Sequence, residues 1–248
     1  LSYDEILKRQ RDTELLLWVC DIPFYRARLW QQNLQKMYDE DYFGSKDKVN
    51  WYYIISYLSG INFTPDDLYI HQEEVELPFK KNDYIVVSNM NDNRGYSKLY
   101  PTKYLNEVLS RLGNTNVIIL GSNKNKFIIQ KDNIVNLEEK LNIFQTAYVI
   151  ANSKFLVSEE GGLVHIAKAV KKKSIVLFGS TQKWLFSYKD NINLSGEFND
   201  CLYCHNQHPY WNMFCKLNIG LLYCKKLETL YPEVVIKEIE KLLKGEKN

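Results

Sequence analysis

The chain divides where the period of its apolar positions changes. Up to about residue 80, apolar residues recur at three- and four-residue spacing, around Ile6 and Leu7, then from Trp30 to Met37, then from Trp51 to Leu58. Each stretch leaves one apolar face, which predicts amphipathic helices. Leu15 to Cys20 is the exception, a continuous apolar run that reads as a short buried strand. The pattern breaks around Asn62-Phe63-Thr64-Pro65-Asp66-Asp67, and Leu77-Pro78-Phe79-Lys80-Lys81-Asn82-Asp83 reads as a linker. A domain boundary is expected there, with residues 1–80 forming a short, mainly helical N-terminal region.

From Tyr84 onward, short apolar runs alternate with amphipathic stretches, the signature of a parallel sheet built from βαβ units. Strands are predicted at Tyr84–Ser88, Val117–Leu120, Lys154–Ser158 and Ser174–Phe178. Pro101 opens a helix, where its missing N–H is harmless, and Tyr104, Leu105, Val108, Leu109 and Leu112 continue it. Further helices are predicted from about Ile143 to Ala151, Leu163 to Val170 and Pro232 to Leu243. The expected fold class is α/β, a Rossmann-like lobe over residues 84–245 with no internal repeat.

Composition excludes several classes. With 45% hydrophobic and 25% charged residues over 248 positions, the chain is globular rather than disordered. Thirty-two basic against thirty acidic side chains give a net charge of +2, so no global field draws nucleic acid or an anionic membrane. No run approaches the ~20 apolar residues that span a bilayer. The opening Leu1-Ser2-Tyr3-Asp4-Glu5 lacks the basic-then-apolar order of a signal peptide. A cytoplasmic location is expected, peripheral at the inner membrane at most.

The segment richest in chemistry runs from Phe155 to Ala169, a strand, a Gly161-Gly162 turn and a helix start. Two glycines let backbone N–H groups approach a ligand, and the following helix turns its positive dipole end toward a phosphate. In open α/β sheets ligands bind beyond the carboxyl ends of strands, which is where this turn falls. Glu159 and Glu160 then lie beside the anion, able to accept hydroxyl bonds and repelling a diphosphate if aimed at it. On physical grounds alone a tight structural turn explains the glycines equally well.

These residues resemble a known pattern. Ser158-Glu159-Glu160-Gly161-Gly162, His165-Ile166-Ala167 and Val176-Leu177-Phe178-Gly179-Ser180-Thr181 follow the order and spacing of glycosyltransferase family 9, the heptosyltransferases. That family has a Ser-Asn-Asp-Thr-Gly-like turn, a His-x-Ala helix start and a Leu-Phe-Gly-x-Thr strand end. Upstream, Tyr84–Ser88 with Ser97-Lys98-Leu99-Tyr100-Pro101, and the strand Val117–Gly121, are similar as well. The turn departs at two places, with Glu160 for Asp and Gly161 for Thr; the second removes a hydroxyl, so the donor sugar can differ from heptose.

The resemblance implies a GT-B enzyme that moves a sugar, with inversion and without a catalytic metal, from an ADP-linked nucleotide-sugar donor to a hydroxyl on a glycan, lipid or protein. In it Lys98 neutralises the leaving diphosphate, Gly161 and Gly162 bind it through N–H groups, Glu160 contacts the sugar or ribose, and His165 faces the same cleft. Ser180 and Thr181 bind phosphate or cap the next segment. A GT-B enzyme needs a second lobe, so residues 1–80 are expected to supply part of an acceptor side; Asp21 is the weak candidate for the general base. Two other readings share the cradle: a catalytically silent nucleotide-sugar-binding or assembly module, and a nucleotide-sugar epimerase.

Cys201, Cys204, Cys215 and Cys224 form C-x2-C-x10-C-x8-C, with His205 and His208 between them, while Cys20 stands apart. Four soft ligands in a loop-rich insertion predict a closed tetrahedral metal site, zinc or iron, structural rather than catalytic. Reduced packed thiols are the simpler alternative, and disulfides fit a reducing compartment poorly. Similar cysteine fingers in some family relatives, the protein-modifying autotransporter heptosyltransferases, hold iron, which implies a role in assembly or acceptor binding and makes a homo-oligomer a candidate. A nucleic-acid-binding zinc module is disfavoured because Lys216, Lys225 and Lys226 make no large basic face.

Overall fold

A computed structural model of the chain describes residues 64–88, 96–121, 128–198 and 224–245. Its centre is a six-stranded sheet made of β1 (Tyr84–Ser88), β2 (Asn116–Leu120), β3 (Ile134–Asn136), β4 (Leu156–Glu159), β5 (Ser174–Leu177) and β6 (Ile192–Leu194). The strands lie in the order β3-β2-β1-β4-β5-β6, and every pairing is parallel. The helices are α1 (Thr102–Arg111), α2 (Ile143–Ala151), α3 (Gly162–Ala169), α4 (Lys183–Phe186), α5 (Lys225–Glu228) and α6 (Pro232–Leu243). The α/β parallel lobe expected from the sequence is therefore the fold.

Both faces of the sheet are covered, which is why its strands read as unbroken apolar runs rather than alternating ones. Alternate residues serve opposite cores. Ile85, Val87, Val117, Ile119, Val157 and Ile175 pack in one with Leu105 and Leu109 of α1 and Val235 and Ile239 of α6. Tyr84, Val86, Ile118, Leu156 and Val176 pack in the other with Val149 and Ile150 of α2 and Val164 and Ala167 of α3. Each such side chain contributes about 1.5–3 kcal/mol when fully buried.

Helices α2 and α6 have the bounds their spacing predicts, for reasons visible at their starts. Asn142 caps α2, its side chain accepting from the amides of Phe144 and Gln145 while Gln145 reaches back to the Asn142 amide. Pro232 occupies the first turn of α6. Elsewhere the edges shift by one or two residues: β2 starts at Asn116, β4 runs from Leu156 to Glu159, β5 ends at Leu177, and α3 spans Gly162–Ala169. The edge strands β3 and β6 and the short α4 and α5 go beyond the sequence prediction.

Residues 1–63, with the helices and the strand expected there, lie outside the described residues. The stretch before β1 holds one 3-10 turn, Pro65–Asp67, and lies over the second core through Leu68, Val75, Leu77 and Phe79. Glu73 accepts from Asn142 and Gln145, Glu74 accepts from the Tyr148 hydroxyl, and Lys168 of α3 bridges Asp66 and Asp190. At the other end of the sheet the chain leaving β6 is fastened to α5, where the Gly196 amide donates to the Lys226 carbonyl at 3.1 Å. A side chain on Gly196 would collide with that carbonyl and with Thr229. Among the described residues no helix is long and apolar enough to cross a membrane.

Candidate functional site

The order β3-β2-β1-β4-β5-β6 reverses direction between β1 and β4. Such a switch point opens a crevice at the carboxyl ends of the two strands, because the chains leaving them go to opposite faces. The chain that follows β1 returns at a 3-10 turn, Tyr96–Lys98, and β4 runs into Glu160 and the Gly161-Gly162 turn. Lys98 Nζ lies 2.6 Å from Glu160 Oε2, bridging the crevice, and the Thr181 hydroxyl, from the loop after β5, donates to the same oxygen at 3.0 Å. Three separate strand exits thus meet at one carboxylate.

The Glu160 side chain is 6% exposed and that of Lys98 24%. Burial pushes the Glu160 carboxyl upward, but the Lys98 ammonium, the hydrogen bonds from Lys98 and Thr181, and nearby His165 outweigh it and hold the carboxyl below its ordinary value. The pair is therefore a charged one, with the cation as its more open member.

Lys98 is held from both sides along the chain. Ser97 before it shares a hydroxyl contact with Ser180 at 3.2 Å, and its carbonyl oxygen would stand only 2.6 Å from a Cβ placed on Gly179. Only a glycine lets the β5 exit come so close. Tyr100 after it donates its amide to Glu159 Oε1 at 3.2 Å and its hydroxyl to the Leu230 carbonyl at 2.9 Å. Glu159 is buried and ends β4, so its carboxylate serves the backbone beyond Lys98 while Glu160, the next residue, meets the ammonium.

The start of α3 completes the crevice. Gly161 is in an extended conformation that any residue adopts, and a Cβ on Gly162 would meet nothing within 4 Å, so among the described residues the space over this helix start is open. Within its first turn the Val164 amide donates to the Gly161 carbonyl at 3.1 Å, and the amides ahead of it carry the positive end of the dipole. His165 follows within that helix, its Nδ1 2.9 Å from the Tyr188 hydroxyl. Burial pulls the imidazole below its ordinary value; Glu160 opposes this and Lys98 adds to it, leaving a ring that is neutral near pH 7. Burial raises the Tyr188 hydroxyl, which keeps its proton. Two further polar atoms, Ser88 Oγ at the end of β1 and Gln182 Oε1 after Thr181, are buried without a hydrogen-bond partner among the described residues. Leaving such groups unsatisfied costs about 1–3 kcal/mol each.

Of the residues singled out in the sequence, Lys98, Glu160 and Thr181 meet directly; Ser180, Gly161, Gly162 and His165 surround them; and Glu159 bonds the Tyr100 amide. Asp21, Cys201, Cys204 and Cys215 lie outside the described residues. Cys224 is buried at the start of α5 within the α1–α6 core. Among the described residues no three His, Cys, Asp or Glu side chains are placed to hold a metal ion. Sequence reasoning missed the parts played by Ser97, Gly179 and Tyr188. Gly179 lay in plain view inside the Leu-Phe-Gly-Ser-Thr stretch; the Tyr188 contact, twenty-three residues from His165, left no local signal.

Strand order, covered faces and a lysine–carboxylate pair at the switch point define a doubly wound lobe of the kind found in GT-B glycosyltransferases. The sequence profile of glycosyltransferase family 9 (heptosyltransferase) matches residues 59–209, and the chain belongs to that family. No curated protein sequence matches it. Among solved structures, ADP-heptose LPS heptosyltransferase II of E. coli is 19% identical with a TM-score of 0.51, over 68% of this chain and 48% of that one. The bacterial iron-containing dodecameric glycosyltransferase TibC of enterotoxigenic E. coli H10407 is 13% identical with a TM-score of 0.60, over 81% of this chain and 55% of that one. TibC in complex with ADP-D-beta-D-heptose gives 12% identity and a TM-score of 0.57, with the same coverages. The chain thus spans about half the length of the solved proteins it resembles.

Proposed function

We propose that residues 84–245 form the donor-binding domain of a glycosyltransferase that takes a heptose-like sugar from an ADP-linked donor and passes it, with inversion, to a hydroxyl on a glycan, lipid or protein. The observation that carries this reading is the Lys98–Glu160 pair, 2.6 Å apart beneath the open start of α3 at the switch point. Family membership supports it, as do solved neighbours described as an ADP-heptose LPS heptosyltransferase and a heptosyltransferase holding ADP-D-beta-D-heptose.

Transfer breaks the bond between the anomeric carbon and the diphosphate, so negative charge grows on the departing phosphate. Lys98 and the α3 amides meet that charge, which is the largest help such a site can give. No metal ion is assigned to this step. As the diphosphate takes up Lys98, Glu160 turns to donor hydroxyls with Thr181 as its remaining support. Neutral His165, within the helix start, and Ser180, beside the Lys98 arm, are assigned to the same donor side. An acceptor base is needed to deprotonate the attacking hydroxyl. It belongs to the acceptor side, for which residues 1–80 are the candidate region and Asp21 the candidate residue.

The four cysteines, Cys201, Cys204, Cys215 and Cys224, are assigned to a structural zinc or iron ion on the strength of their spacing. TibC, an iron-containing dodecamer, supports this assignment and a homo-oligomer. The test of the main reading is calorimetric titration with ADP, UDP, GDP and ADP-heptose, wild type beside Glu160→Ala. Preferential ADP binding that weakens in the variant is expected; no binding to any of them would refute it. Binding without transfer to any acceptor would favour a silent nucleotide-sugar-binding module instead.

A further inference from the structure

Two adjacent glutamates leave β4, and the crevice needs only one of them. Glu160 meets the ammonium of Lys98, while Glu159, 3% exposed, accepts the Tyr100 amide at 3.2 Å. Tyr100 immediately precedes Pro101, the residue at the cap position of α1, whose own side chain makes no capping hydrogen bond. A carboxylate at the N-terminal end of a helix is favoured by the dipole. Glu159 thus supplies from β4, fifty-nine residues away, an anchor for the chain entering α1.

We infer that Glu159 is a positioning residue, which fixes the arm carrying Lys98 across the crevice and does not itself contact the donor. The arm is short, from Ser97 to Tyr100, and it is fastened at both ends. Ser97 lies against Gly179 and Ser180 of the β5 exit, and Tyr100 is bonded to Glu159 and, through its hydroxyl, to the Leu230 carbonyl. A lysine has four rotatable side-chain bonds, so its ammonium is placed only as well as its backbone is held. Releasing Tyr100 lets α1's first turn and the Lys98 backbone move together. The loss then falls on ligands that use the ammonium, diphosphates above all, and spares those that do not.

This inference rests on the nucleotide-diphosphate reading of the site, and its test separates the two. Wild type, Glu159→Gln and Glu159→Met are compared in the full chain. Glutamine keeps an acceptor for the Tyr100 amide; methionine keeps the length and removes it. Hydrogen exchange of the Tyr100 amide is followed by NMR without ligand, and ADP and AMP are titrated by calorimetry.

Loss of a buried hydrogen bond predicts that Glu159→Met speeds Tyr100 exchange and weakens ADP by roughly tenfold or more, while AMP changes by less than about threefold and Glu159→Gln stays near wild type in both. Unchanged exchange in Glu159→Met overturns the inference. So does equal weakening of ADP and AMP, or a loss of ADP affinity in Glu159→Gln with the amide still protected, since either would put Glu159 on the donor. Should Glu159→Met not fold, Glu159→Gln decides alone: a protected amide with ADP binding within about threefold of wild type supports the inference. A wild type that binds neither nucleotide removes the diphosphate reading and this inference with it, whereas ADP binding indifferent to Glu159 removes only the inference.

Discussion

Gly179 lies so close to Ser97 that a Cβ placed on it would stand 2.6 Å from the Ser97 carbonyl oxygen and 2.8 Å from Leu227 Cδ1. Backbone occupies one side of that gap and a fully buried leucine the other, so neither yields easily. Gly179→Ala is expected to push the β5 exit away from the Lys98 arm, destabilising the lobe by about 1–3 kcal/mol, the usual range for overpacking. ADP affinity should fall in the same variant. A melting temperature and an ADP isotherm both unchanged would show that the contact relaxes freely.

Lys98→Ala should weaken ADP binding by about 1–3 kcal/mol, the range for losing a charge-assisted hydrogen bond. It also strands Glu160 in a buried position without its cation. Pairing Lys98→Ala with Glu160→Gln should therefore recover stability lost in the single variant without recovering affinity for the diphosphate. Chemical denaturation and calorimetry on the same three proteins check this, and equal stability of the single and double variants would argue against a coupled pair.

Acid should unfold the lobe in two separable steps. His165 has its imidazole value lowered in the fold, so the unfolded chain takes up the proton first; stability is full above the ordinary histidine value of 6.5 and is lost as pH falls below it through the folded value. Glu160 is likewise depressed, so its contribution is present above the ordinary 4.5 and is lost below it. Melting temperature recorded from pH 8 to pH 3.5 should decline less between 6.5 and 5 in His165→Asn, and less below 4.5 in Glu160→Gln. Profiles parallel to wild type would mean that other groups govern acid unfolding.

If the four cysteines hold an ion, purified protein should contain about one zinc or iron per chain, and Cys204→Ser should lose it. Elemental analysis answers this directly. Wild type without metal would leave these thiols as packing residues, Cys224 among them.

How much of this the sequence disclosed depended on how local each cause was. Helices α2 and α6 were legible from the spacing of their apolar residues, and Asn142, Gln145 and Pro232 fix their starts within a single turn. The four inner strands showed as apolar runs because both faces of the sheet are covered. Strands β3 and β6 escaped because each has three residues, too few to display a period, and only Ile192 among the six is buried. In the site, Lys98, Glu160 and Thr181 were reached through resemblance to the family, since sixty-two and twenty-one residues separate Glu160 from its two partners. Ser97, Gly179 and the Tyr100–Glu159 bond belong to the same arrangement, but they act through backbone atoms, and backbone contacts leave little mark on residue type.

The bond between the Gly196 amide and the Lys226 carbonyl gives the cysteine-rich stretch a fixed root. A chain that departs and returns at a closed base adds to the lobe only the entropy of its own loop, which grows so slowly that each doubling of length costs about 0.6 kcal/mol. Proteins built on this lobe can therefore exchange that stretch for a longer or shorter one without disturbing the sheet. The crevice between β1 and β4 then stays as it is whatever length that stretch takes.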